Sequence, residues 1–185
     1  NGLGIIQDPL LCDFAPRLSQ RNGVFWVTCR HWRESGKVSG IRELSHAKDV
    51  LDNAWLNRMT SDLIRAIRSV YEPLEVIITA PTARHSAFRG ITHFATEAAI
   101  IIANDLKWDH RTLFHPTKAT HIGHHPRREK DKPELCANVD GLSVLIVDDL
   151  ATSGQTMEWA TKALREGGAK VSGLVWIYGT STGHK

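Results

Sequence analysis

The sequence has few of the features that mark a protein for secretion, for a membrane or for a structural metal. Its 185 residues include only three cysteines, Cys12, Cys29 and Cys136, which lie far apart and form no CxxC pair. We therefore expect neither a zinc ribbon nor a disulfide framework. The longest apolar run, residues 98–103, is far shorter than the ~18 residues of a membrane helix. The first residues show no signal-peptide pattern, so we expect a cytoplasmic protein with no membrane partner.

An excess of charge of one sign is also missing. The chain has 23 basic and 20 acidic residues, for a formal net charge of +3. This small excess does not indicate a nucleic-acid partner, and it suits a small anionic ligand equally well. The composition, 42% hydrophobic and 23% charged, is typical of a soluble globular protein. At ~150 residues per domain, the length predicts a single domain over residues 1–185.

Apolar segments of two kinds alternate along the chain. Short uninterrupted runs predict strands at residues 23–28, 74–80, 143–147 and 171–178. Longer periodic segments predict helices at residues 45–71, with Ser45 as N-cap, and at 88–106 and 155–166. This alternation predicts an α/β fold with a doubly wound, mostly parallel sheet and a core at residues 74–178. Residues 1–45 are expected to be an N-terminal strand and helix addition, either a hairpin or a hood.

The most informative segment joins the third strand to the third helix. Four apolar residues, 144–147, precede Asp148 and Asp149, and a loop of mostly small residues then opens the helix. The loop consists of Ala151, Thr152, Ser153, Gly154, Gln155 and Thr156. In open α/β sheets ligands bind at the carboxyl ends of strands, and backbone N–H groups at a helix N-terminus bind anions. The two carboxylates suit neighbouring hydroxyls or a divalent cation, so a sugar phosphate matches the whole segment.

Residues 144–156 resemble the phosphoribosyl pyrophosphate (PRPP) signature of type I phosphoribosyltransferases. The resemblance implies that Asp148 and Asp149 hold the ribose 2′- and 3′-hydroxyls and that residues 151–156 cradle the 5′-phosphate. It implies a pentosyl-transferring glycosyltransferase that moves the 5-phosphoribosyl group of PRPP to a nitrogen base and releases pyrophosphate. Mg²⁺ is then the cofactor, held by substrate oxygens with Asp148 or Asp149 in support. We also expect a homodimer.

Two further segments match the places where this family binds pyrophosphate. Thr82, Ala83 and Arg84 follow the strand at residues 74–80. Residues 109–133 occupy the place of a mobile loop, with Lys118, Arg127 and Arg128 as cations for pyrophosphate. We expect this histidine-containing segment to be a lid rather than a metal site. The alternatives are a surface arginine in a turn at Arg84 and a solvated charged loop at residues 109–133.

Within the superfamily, the layout is most similar to the competence protein ComF-like branch. Phe88-Arg89-Gly90 after Pro81 resembles that branch, whereas His121 replaces its glutamine and its N-terminal cysteine ribbon is absent. Thr152 stands where enzymes acting on 6-oxopurines carry an aspartate, which argues against hypoxanthine or guanine as acceptor. The alternative function is a regulatory protein that binds PRPP or a nucleotide without turnover. The acceptor and the general base stay open.

Overall fold

The computed structural model describes residues 10–72, 74–81, 93–116 and 132–179. Six strands in these ranges form one sheet in the order β1-β2-β6-β5-β3-β4. The strands are β1 (Arg17–Arg21), β2 (Val24–His31), β3 (Val76–Thr79), β4 (Asp109–His110), β5 (Ser143–Ala151) and β6 (Lys170–Tyr178). Neighbouring strands pair in parallel, except that β1 pairs with β2 in antiparallel orientation. The predicted α/β fold with a mostly parallel sheet is confirmed.

Helices cover both faces of this sheet. They are α1 (Lys37–Val50), α2 (Asn53–Val70), α3 (Phe94–Leu106) and α4 (Gln155–Glu166), and a 3₁₀ turn at Glu34–Gly36 precedes α1. Leu145 and Val147 of β5 pack in a core with α1, α2 and α3, whereas Val144 and Ile146 pack in a second core with α4. Successive strand residues point to opposite faces, so β5 is buried on both sides.

The prediction of one helix over residues 45–71 is wrong. The chain forms two helices there, because Leu51 adopts a left-handed conformation, with φ of 53°, and ends α1. Asp52 then caps α2, since its carboxylate accepts hydrogen bonds from the N–H groups of Ala54 and Trp55 at 2.9 and 3.0 Å. Aspartate is a strong N-cap residue. Ser45 lies inside α1 and caps neither helix.

Other boundaries also differ from the predictions, and two of them lie near the candidate site. The strand predicted at residues 143–147 continues to Ala151, so both aspartates belong to β5. Helix α3 begins at Phe94, after an extended His93, rather than at residue 88. The earlier part of that predicted helix, residues 88–92, lies outside the described residues. Helix α4 has the predicted bounds.

The described part of residues 1–45 adds a hairpin and a helix to the sheet. Arg21 pairs with Val24, so the hairpin turns at Asn22 and Gly23, whose φ angles are 48° and 78°. An Asn-Gly pair with positive φ at both positions is the preferred two-residue hairpin turn. Strand β2 then lies beside β6, so the hairpin widens the sheet instead of forming a hood. Within the described ranges, no helix is both long and apolar enough to cross a membrane.

Candidate functional site

The two aspartates of β5 lie at its carboxyl end but on opposite faces of the sheet. Asp149 follows the alternation of Leu145 and Val147, so it faces the α1–α3 side, and Asp148 faces the α4 side. Asp148 is half-buried, whereas Asp149 is only 2% exposed. The Asp149 N–H donates a hydrogen bond to Asp148 Oδ1 at 2.9 Å. Neighbouring positions in the sequence therefore have different surroundings.

Asp149 forms an ion pair with Lys48, which lies in the last turn of α1. The Lys48 ammonium donates a hydrogen bond to Asp149 Oδ1 at 3.0 Å, and its nitrogen lies 2.8 Å from Oδ2. Burial by itself lowers the pKa of Lys48, but attraction to Asp149, with smaller contributions from Asp148 and Asp49, raises that pKa above its ordinary value. Lys48 is therefore charged, and it neutralises the second acid of the signature.

His93 lies beside this ion pair, at the residue that precedes α3. Burial lowers its pKa, the Asp149 carboxylate raises it, and the Lys48 ammonium lowers it again, with a net decrease. Its Nδ1 is buried without a hydrogen-bond partner among the described residues. At neutral pH the imidazole is thus uncharged. The sequence analysis missed both Lys48 and His93, because neither belongs to a motif or lies near Asp149 in the chain.

The loop after β5 ends on an uncapped helix. Ala151 closes the strand by accepting a hydrogen bond from the Gly179 N–H at 2.7 Å, and Thr152 and Ser153 are exposed. Gly154 adopts a left-handed conformation, with φ of 72°, as the N-cap of α4, and it offers no side-chain cap. The Ser153 hydroxyl accepts a hydrogen bond from the Gln155 N–H at 3.3 Å. Free donors at a helix N-terminus are the chemistry that binds phosphate.

The hairpin supports this loop from the α4 side of the sheet. Arg21 donates to the Ser153 carbonyl at 2.9 Å and to Glu158 Oε2 at 2.7 Å. Asn22 and Lys162 donate to Glu158 Oε1 at 3.0 and 2.7 Å. Burial alone raises the pKa of Glu158, but the three side-chain hydrogen bonds outweigh it and lower that pKa to about 2. Glu158 is therefore a fully ionised, buried anchor in the first turn of α4.

The ring of Trp26, on β2, lies directly under Gly154. A Cβ atom added at Gly154 would come within 2.7 Å of Trp26 Cζ2 and collide with the ring. Glycine at this position is thus required twice, by its positive φ and by the contact with Trp26. The sequence analysis placed Gly154 in the loop that cradles the 5′-phosphate and did not foresee the tryptophan below it.

The structure brings part of the predicted site together. Asp148, Asp149 and residues 151–156 lie at one edge of the sheet, as their sequence order requires. The residues assigned to pyrophosphate all lie outside the described residues: Thr82, Ala83, Arg84, Lys118, Arg127 and Arg128. Among the residues that the structure describes, no group of three or more His, Cys, Asp or Glu side chains is arranged to hold a metal ion.

Comparison with known proteins supports the interpretation of the signature. Residues 99–184 match a family model described as a phosphoribosyl transferase domain. The match includes Asp148, Asp149 and the loop that follows them. It does not include the β1–β2 hairpin, α1 or α2. A search of curated proteins found no match to the chain.

Several solved structures resemble this chain at low identity. Adenine phosphoribosyltransferase from Thermoanaerobacter pseudethanolicus is 19% identical, with a TM-score of 0.45 over 69% of this chain and 70% of that one. A hypoxanthine-guanine phosphoribosyltransferase from Bacillus anthracis is 15% identical, with a TM-score of 0.45 over 66% and 76%. Orotate phosphoribosyltransferase from Aeropyrum pernix is 18% identical, with a TM-score of 0.37 over 82% and 68%. Similarity at this level assigns no activity.

Proposed function

We propose that the protein is a phosphoribosyltransferase that uses PRPP and Mg²⁺ and transfers the 5-phosphoribosyl group to a nitrogen base. The observation that carries the proposal is the placement of two acids at the carboxyl end of β5, next to the uncapped N-terminus of α4. This edge offers acceptors for hydroxyls and donors for a phosphate at adjacent positions. The match of residues 99–184 to the phosphoribosyl transferase domain supports the same activity.

In this proposal, different residues of the site bind different groups of the substrate. Backbone N–H groups of the loop, with the hydroxyls of Thr152, Ser153 and Thr156, donate to the 5′-phosphate. Asp148 accepts from a ribose hydroxyl, and Asp149 accepts from the other while it keeps its ion pair with Lys48. The anomeric carbon loses pyrophosphate through an oxocarbenium-like state and accepts the nitrogen nucleophile. Catalysis is mainly positioning and charge stabilisation of the leaving group.

Asp148 is the better of the two acids for Mg²⁺. Protein-bound Mg²⁺ is often held by one or two carboxylates together with substrate phosphates. Asp148 is half-buried and matches that role, whereas the buried Asp149 is already neutralised by Lys48. When bound, Mg²⁺ offsets the charge of the leaving pyrophosphate. Thr82, Ala83, Arg84, Lys118, Arg127 and Arg128 stay predictions for pyrophosphate, as do the single domain, the homodimer, the cytoplasmic location and the ComF-like branch.

The direct test measures binding and turnover in the same preparation. Wild-type protein is titrated with PRPP and Mg²⁺ by calorimetry, and pyrophosphate release is followed with a panel of nitrogen bases. In Asp148→Asn one charge-assisted hydrogen bond is weakened, so PRPP affinity is expected to fall about 10- to 150-fold, equivalent to about 1.5–3 kcal/mol. Asp105→Asn, at the far end of α3, is the matched control and leaves the affinity unchanged. Equal affinity in wild type and Asp148→Asn contradicts the proposed site.

A PRPP-binding regulator without turnover is the second candidate. The observation that favours it is the Lys48–Asp149 ion pair, in which one of the two acids already has a cationic partner. PRPP binding with no pyrophosphate release for any base supports this second function. Release with one base supports the enzyme and identifies the acceptor at the same time.

A further inference from the structure

We propose that the β1–β2 hairpin is a positioning element for the phosphate loop and that Arg21 is the residue through which it acts. The proposal rests on the proposed function, because the loop at residues 151–156 is the proposed 5′-phosphate site. The hairpin lies outside the residues that match the phosphoribosyl transferase domain, which begin at residue 99. Two contacts connect it to the loop, and a further contact with α4 holds Arg21 in place.

The first contact fixes one peptide group of the loop. Arg21 Nη1 donates to the Ser153 carbonyl oxygen at 2.9 Å. In a trans peptide the carbonyl and the following N–H point in opposite directions, so this hydrogen bond turns the Gly154 N–H away from the hairpin. Without it, residues 152–154 have no hydrogen bond from a side chain of another element among the residues that the structure describes. Arg21 therefore determines which way the Gly154 N–H of the loop points.

The second contact immobilises Arg21 itself. Its Nε donates to Glu158 Oε2 at 2.7 Å, and Glu158 is 5% exposed and belongs to the first turn of α4. Asn22 donates to the other Glu158 oxygen at 3.0 Å. One planar guanidinium thus joins the hairpin, the loop and the helix, and its fork geometry suits this task better than a lysine ammonium.

The third contact is independent of charge. Trp26 is 2% exposed and its ring lies against Gly154, so the loop rests on β2 at the same point where Arg21 holds Ser153. A polar contact on one residue and an apolar contact on the next leave the loop little freedom. Anion affinity benefits from such preorganisation, because the donors need not be ordered when the ligand binds.

The experiment compares two ligands across four proteins. Wild type, Arg21→Met, Arg21→Lys and Lys162→Met are titrated by calorimetry with ribose 5-phosphate and, separately, with pyrophosphate. Arg21→Met is expected to weaken ribose 5-phosphate about tenfold and to change pyrophosphate affinity less than twofold, since only the former needs the loop. Lys162→Met also removes a cation from Glu158 but does not touch the loop, so it is expected to keep both affinities.

The lysine variant separates position from charge. Arg21→Lys keeps the positive charge but lacks the fork, so it is expected to recover less than half of the lost affinity. Full recovery overturns the proposal, because charge alone then explains the effect. An equal loss in Lys162→Met also overturns it, since the effect then passes through Glu158 and not through Ser153.

Amide hydrogen exchange measures how well the loop is ordered and requires no ligand. Arg21→Met is expected to accelerate exchange at residues 154–156 at least about tenfold relative to Lys162→Met, with unchanged exchange in β5. If the loop exchanges its amide hydrogens as slowly in Arg21→Met as in wild type, the positioning role is overturned, whatever the ligand titrations show. If wild type binds no ribose 5-phosphate yet the loop loosens in Arg21→Met, the proposed function fails and the positioning role of Arg21 stands.

Discussion

Asp148 and Asp149 are adjacent in the chain, yet they meet different chemistry because a strand turns successive side chains to opposite faces. Asp149 points into the layer of α1 and α3, where Lys48 and His93 lie. Asp148 points to the side of α4 and the phosphate loop. At the scale of single residues, the two acids therefore differ in their surroundings: Asp148 is half-buried, whereas Asp149 is buried and paired with a cation.

Removal of Lys48 is expected to destabilise the protein through Asp149. Lys48→Met leaves a carboxylate that is 2% exposed without its ion-pair partner. Loss of one partner of a buried pair costs about 3–5 kcal/mol, and the 30% exposure of the Lys48 side chain reduces the expected loss to about 2–3 kcal/mol. Urea unfolding measures the change.

Two further variants test that explanation. Lys48→Met combined with Asp149→Asn removes the unpaired charge and should regain most of the lost stability. Arg42→Met removes an exposed cation from the same helix and is expected to unfold with the wild-type midpoint. A wild-type midpoint for Lys48→Met itself contradicts the buried-pair interpretation.

At the scale of elements, the hairpin and α4 hold the loop between them. Strand β2 supplies Trp26, the end of β1 supplies Arg21, and α4 supplies Glu158. The sequence analysis found the loop from its own residues and treated the hairpin as an accessory. The structure makes the hairpin the surface on which the loop rests.

Alanine substitutions at two glycines with similar backbone angles distinguish backbone strain from steric overlap with a neighbouring side chain. Gly23 and Gly154 have φ of 78° and 72°, but a Cβ at Gly23 meets nothing within 4 Å, whereas one at Gly154 meets Trp26. Gly23→Ala is expected to lose about 1–2 kcal/mol from left-handed strain alone. Gly154→Ala adds overpacking of about 1–3 kcal/mol. Thermal unfolding of both variants measures the two losses of stability. Equal losses of stability would show that Trp26 tolerates the added methyl group.

At the scale of the whole molecule, the sequence predicts local secondary structure but not the side-chain contacts that join distant segments. The presence of strand β5 follows from an uninterrupted apolar run and the bounds of helix α4 follow from apolar periodicity, so neither needed tertiary information. The contacts of Lys48 with Asp149 and of Arg21 with Glu158 span 101 and 137 residues. No spacing rule connects such pairs, because the fold alone brings them together. The break at Leu51 was missed for a different reason, since a leucine rarely adopts positive φ.

Glu158 makes the stability of the molecule depend on acid pH. Its pKa is about 2 when folded and 4.5 ordinarily, so the stability it contributes is present above pH 4.5 and is lost as pH falls towards 2. Glu158→Gln is expected to be less stable than wild type at pH 7. Between pH 5 and pH 2.5, however, its free energy of unfolding should fall by less than that of wild type. Urea unfolding at these pH values measures it, with Glu166→Gln as an exposed control on the same helix. If wild type and Glu158→Gln lose the same stability between pH 5 and pH 2.5, Glu158 is not the source of the pH dependence.

The parallel pairing of β2 with β6 also decides the order of events during synthesis. Val27 pairs with Leu174, so β2 leaves the ribosome long before its partner strand exists. At roughly 5–20 residues per second, the delay is about 7–30 s. Throughout that interval the Phe25, Trp26 and Val27 edge lies open to other nascent chains, and an unpaired apolar strand is the usual starting point of aggregation. The yield of folded protein in a cell therefore depends on how fast translation reaches β6, as well as on the stability of the finished sheet.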